Sequence, residues 1–86
     1  EQEVFRVHGY RDLSKFSDPL MMLLQYIGNG GLRKFSILKH VQLANSIVLE
    51  LEPGNNHEFE RIKNIMIWFS DLGQIEKIMI LFKDGN

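Results

Sequence analysis

The stretch Asn64-Ile65-Met66-Ile67-Trp68-Phe69-Ser70-Asp71-Leu72-Gly73 decides how this chain is read. Its middle holds an unbroken run of large apolar residues, more than a helix lying on a sheet can turn inward. Upstream, Asn55 followed by Glu58 forms an approximate capping box, and downstream Gly73 can end a helix. The spacing therefore predicts a helix from about Asn56 to Leu72. On a wheel of about 100° per residue, Phe59, Ile62, Ile65, Met66, Phe69 and Leu72 fall within an arc of about 140°, a normal buried face. Ile67 then points almost the opposite way, and Trp68 lies on the flank.

Working outward, Val4 to His8 alternates as a strand with Phe5 and Val7 inward, closed by Gly9. A polar loop follows. Asp18 and Pro19 start a helix, because the aspartate can cap free amides and proline loses nothing at the first helical position. Leu20, Leu23, Leu24 and Ile27 form its inward stripe, and Gly28-Asn29-Gly30-Gly31 ends it. Lys34 to Gln42 reads as a second strand with Phe35 and Ile37 on one side, its alternation slipping toward the end at Leu38 and Val41, as a bulge would cause. Ala44-Asn45-Ser46 is a hairpin turn. Ile47 to Glu52 is the cleanest strand, with Ile47, Leu49 and Leu51 inward, stopped by Pro53-Gly54. Ile75, Ile78, Ile80 and Phe82 mark a last strand, which ends at Lys83-Asp84-Gly85. The resulting order, strand-helix-strand-strand-helix-strand, predicts an α+β, ferredoxin-like βαββαβ fold. It has a four-stranded antiparallel sheet with two helices on one face.

At 86 residues the chain reads as one domain, with 44% hydrophobic and 24% charged residues, which argues against disorder. The first residue, Glu1, suits a segment of a larger protein. Ten Lys and Arg against eleven Asp and Glu give a net charge of -1, so no general pull toward nucleic acid or anionic membrane is expected. With no Cys, thiol chemistry and disulfides are excluded and a cytoplasmic setting is favoured. No apolar run is long enough to span a membrane, and no secretory signal opens the chain.

Catalytic signals are weak. His8, His40 and His57 have no metal-ligand spacing, and no serine or carboxylate sits in a recognisable catalytic setting. Gly28 to Gly31 follows a helix, whereas a phosphate cradle precedes one. The chain thus reads as a non-enzyme without cofactor or metal. Its surplus apolar residues point instead to binding: Trp68 and Ile67 on the second helix, with Met22 and Tyr26 on the first, are the expected partner-binding residues. Ordinary burial of these residues and a homodimer contact are the alternatives. An RNA-recognition domain shares the strand order, but its stacking aromatics are missing from the outer sheet face expected here, where Val48, Glu50 and Glu52 stand with Lys77, Met79, Leu81 and Lys83. A small-molecule-binding regulatory domain of the ACT type is a further alternative.

The segment "FRVHGYRDLSKFSDPLMMLL", Phe5 to Leu24, resembles the response-regulator-binding domain of CheA-type chemotaxis histidine kinases. The matching positions are Phe5, Arg6, His8, Leu13, Asp18, Pro19, Leu20 and Leu24. "FERIKNIMIWFSDLGQIEKIMI", Phe59 to Ile80, is similar to that domain's second helix and last strand. The resemblance implies a ferredoxin-like docking module of signal transduction, in a two-component system, that captures a CheY-type receiver domain without acting as phosphoryl donor or acceptor. The chain departs from that family in lacking a long acidic, proline-containing insertion between its second and third strands.

Overall fold

The computed structural model describes residues 7–28, 31–53 and 61–84. Five strands form one sheet: β1 (Arg11–Asp12), β2 (Ser36–Gln42), β3 (Ser46–Glu52), β4 (Ile62–Ser70) and β5 (Ile75–Phe82). Neighbours run antiparallel in the order β1-β5-β4-β3-β2, and among the described residues a single α-helix, α1 (Pro19–Ile27), joins β1 to β2 by way of short 3₁₀ turns.

This corrects the expected ferredoxin-like βαββαβ arrangement. The sheet has five strands rather than four, and the segment expected to be the second helix is β4, at the centre of the sheet. Ile62, Ile65, Ile67, Trp68 and Phe69 are β-branched or aromatic, types that fit a pleated surface. Consecutive Ile65, Met66 and Ile67 are all buried because β4 is covered on both faces: Ile65 and Ile67 point to one side, Met66 to the other. Gly73 has φ 84°, but it closes a hairpin instead of a helix. Its amide donates to the Ser70 carbonyl at 2.9 Å, and the Ser70 amide donates to the Gln74 carbonyl at 2.7 Å. A left-handed glycine serves both kinds of ending, so the same residue signalled either. The capping-box residues Asn55 and Glu58 lie outside the described residues, as do Phe59 and most of the expected first strand; Val7 and His8, at that strand's end, lie outside any strand.

Helix α1 begins and ends as its sequence dictates. The Asp18 carboxylate accepts from the Met21 amide at 3.1 Å, Pro19 opens the helix, and Gly28 ends it at φ 75° with its amide bonded to the Leu24 carbonyl. Leu23 and Ile27 face inward with Leu13, over Ile78, Ile80 and Phe82 of β5. The helix lies toward β5, and this placement leaves β2 with only Val41 half-buried. β2 carries a bulge, as expected, but its register shift falls between Ile37 and Lys39, near the start of the strand, and Val41 keeps regular pairing with Val48.

The opposite face of the sheet is not open either. Val48 and Met66 are fully buried there and Met79 nearly so, with Tyr10 and Trp68 packed against them. Val48 and Met79, expected to line an exposed face, thus belong to a second small core.

Candidate docking surface

Because side chains alternate along a strand, Ile67 and Trp68 leave β4 on opposite sides. Ile67 pairs with Leu49 and Ile78 and is 2% exposed, inside the main core. Trp68 is half-buried on the other face, flanked by Val48 and Lys77, with the Lys77 ammonium 5.2 Å from its ring centre. On α1, Met22 is half-buried and Tyr26 is exposed, its ring edge-on to Phe82 with centroids 5.5 Å apart. Trp68 and Tyr26 therefore stand on opposite sides of the sheet, and the four residues named from sequence do not make one patch. The helical wheel that grouped Ile67 with Trp68 does not describe this segment.

A polar cluster that the sequence did not signal lies across the second face. The Tyr10 hydroxyl and the Asn64 side-chain amide each donate to Glu50 Oε2 at 3.1 Å. Gly9, at φ 86°, turns the chain just before Tyr10, where a Cβ would approach the Leu81 side chain to 3.3 Å. Burial pushes the Tyr10 phenol up to about 12; the Asn64 bond opposes this, while the nearby Glu50 charge and hydrogen bond add to it. Nearby, the Ser14 hydroxyl holds the Asp12 carboxyl below its usual range; burial opposes this, and the Ser14 amide, Lys77 and Lys15 add to it. The Tyr10 cluster is a clasp between β3, β4 and the segment leading into β1.

The most exposed large apolar side chain is Leu72, 83% exposed in the turn between β4 and β5 and not on the buried face expected of it; within the strands, the largest apolar exposure is on β2. Ile37 is 61% exposed and Leu38, at the bulge, 49%. Leu43 follows at 38%, at the turn into β3. Arg33, Lys34, Lys39 and His40 are exposed around them. A second apolar group, Phe16, Leu20 and Met21, lies at the start of α1.

Among the described residues, no group of three or more His, Asp or Glu side chains could hold a metal ion, and no helix is long and apolar enough to cross a membrane. Comparison of the chain with protein-family models, curated proteins and solved structures finds no match.

Proposed function

We propose that this chain is a non-catalytic protein-docking domain. The observation that carries the reading is the apolar surface of β2, where Ile37 and Leu38 are largely exposed because α1 lies toward β5, at the other end of the strand order. Burying such side chains against a partner stabilises a complex in proportion to the apolar area removed from water. The docking surface is thereby assigned to β2 rather than to Ile67, which is already buried; Trp68, Met22 and Tyr26 retain a secondary role at most. The resemblance to the regulator-binding domain of chemotaxis kinases supplies receiver domains as the first partner to try, although the ferredoxin-like fold it implies is not the fold found. The ACT-like and RNA-recognition alternatives rested on that same strand order and lose its support.

The test is a pair of variants, Ile37→Asp and Leu38→Asp, assayed for thermal stability and for association with purified receiver domains by NMR. Both should melt within about 4 °C of the parent, as surface substitutions do in a domain of this size. Both should lose association that the parent has. A larger fall in melting midpoint would assign the two side chains to the domain's own core and remove the basis of the reading. Parent amide signals unmoved by receiver domains would remove that partner class.

A further inference from the structure

One end of the sheet carries apolar side chains that docking at Ile37 and Leu38 does not use. The pairing of Ser46 with Ser70 sets the β2–β3 turn, residues 43–45, beside the β4–β5 turn, residues 71–74. β1 runs toward the same end, since Arg11 pairs with Ile80 and Asp12 with Met79, and α1 returns from it to rest Tyr26 on Phe82. Phe16, Leu20 and Met21 therefore lie at this end with Leu43 and Leu72, all of them exposed and Leu72 to 83%. The described stretches of chain begin and end at the opposite end, near Leu81 and Phe82, so both turns are bounded on each side by paired strands.

The β4–β5 turn is built to leave water at little cost. The Ser70 hydroxyl accepts from the Leu72 and Gln74 amides at 3.2 and 3.1 Å, and the Ser70 carbonyl accepts from the Gly73 amide at 2.9 Å. These amides are already bonded, so covering Leu72 strands none of them. Charge selects the cover. Asp71 and Glu76 are exposed on either side of Leu72 and hold no ion pair among the described residues, and Asp18 stands at the head of α1 with its carboxylate on the Met21 amide. Residues 42–47 and 69–76 include no Lys, Arg or His. Two bases do stand nearby, Lys15 and Lys77, but both act on Asp12, and Lys77 lies over the Trp68 ring. A second copy would set Asp71 and Glu76 against themselves, and its α1 carries no charged residue to answer them. An anionic membrane is repelled likewise.

We propose that this end, with Leu72 as its anchor, binds a basic amphipathic helix of another protein, whose apolar stripe covers Leu72, Leu43 and Met21 while its Lys or Arg flanks meet Asp71 and Glu76. It is a second contact surface, separate from Ile37 and Leu38 and independent of them.

The experiment titrates the isotope-labelled 86-residue chain with two capped helical peptides of about 18 residues, each with a leucine stripe, one flanked by Lys and the other by Glu. The Lys peptide should shift the amides of residues 43–45 and 71–74. It should bind about tenfold more tightly than the Glu peptide, a difference that a few surface charge pairs can supply. Leu72→Ser, at a site 83% exposed, should fold as the parent does and lose most of that binding. Asp71→Lys combined with Glu76→Lys should turn the preference toward the Glu peptide. If either variant misfolds, the location of the shifts and the ratio of the two affinities in the parent decide the matter. The proposal is overturned by no shift, by shifts centred on β2, by equal binding of the two peptides, or by unchanged binding in Leu72→Ser. Shifts of the same amides with protein concentration alone would assign the end to a second copy, and shifts with phosphatidylcholine vesicles in place of the Lys peptide would assign it to a membrane; either result also overturns it. Ile37→Asp should leave peptide binding intact, so that variant and Leu72→Ser report on the two surfaces separately.

Discussion

The Tyr10 hydroxyl reaches Glu50 across 40 positions of sequence, donating to Oε2 at 3.1 Å. Glu50 lies on β3 and Tyr10 just before β1, so this bond spans the sheet over Met66 and Met79. Tyr10→Phe keeps the ring and deletes the donor. It should cost about 1 kcal/mol, because the half-buried carboxylate retains Asn64 but loses one partner. Urea denaturation measures the change directly; no loss of stability would mean that water replaces the hydroxyl without penalty.

The same phenol makes a prediction about alkaline pH. Its folded value of about 12 lies above the ordinary 10.0, so its contribution is fully present below pH 10.0 and is lost as pH rises toward 12. Stability should fall through that window in the parent. In Tyr10→Phe this part of the fall should be absent, which melting curves at stepped alkaline pH can follow.

Asp12 behaves in the opposite sense. Its folded value is lowered, chiefly by the Ser14 hydroxyl at 2.6 Å, so it stabilises the fold above the unfolded value of 3.8 and ceases to do so as pH falls through the folded one. Ser14→Ala should raise the Asp12 carboxyl toward its ordinary range. An NMR titration of the side-chain carbon reads this shift at the single residue.

Gly73 tests the hairpin. At φ 84°, with nothing within 4 Å of an added Cβ, Gly73→Ala meets backbone strain but no collision. The expected cost is about 1–2 kcal/mol, and Gly73→Asn should cost less because asparagine tolerates left-handed angles. Equal losses for the two variants would argue against strain as the cause.

Ile67 and Ile37 make a contrasting pair. Ile67→Ala should destabilise by about 2–5 kcal/mol, since the side chain is 2% exposed and its loss leaves a cavity. Ile37→Ala, at 61% exposure, should change stability by no more than about 0.5 kcal/mol. Chemical denaturation of both variants in parallel is sufficient, and similar costs would contradict the burial described.

Elements with local signals were legible in the sequence. Asp18 with Pro19 starts α1 and Gly28 ends it, each through contacts within about one helical turn, and the broken alternation at Leu38 and Val41 signalled a bulge in β2 without fixing its place. β3 and β5 followed from alternation and their stops. β4 was not legible, because five consecutive apolar residues suit a twice-covered strand and a helix equally. What separates the two is pairing with β3 and β5, which no short window contains. Once that segment is a strand, Ile67 passes into the core and Trp68 to the far side. The Tyr10, Glu50 and Asn64 cluster had no sequence signature, since its members sit on three separate segments.

The pairing of β1 with β5, Arg11 beside Ile80 and Asp12 beside Met79, brings the two outer segments of the described chain together. Their antiparallel sense means that tension applied through those segments would open the pair like a zipper, one rung after another, instead of loading all rungs at once. Mechanical rupture would accordingly begin at this two-residue strand, at low force, while the β2-to-β5 meander was still intact.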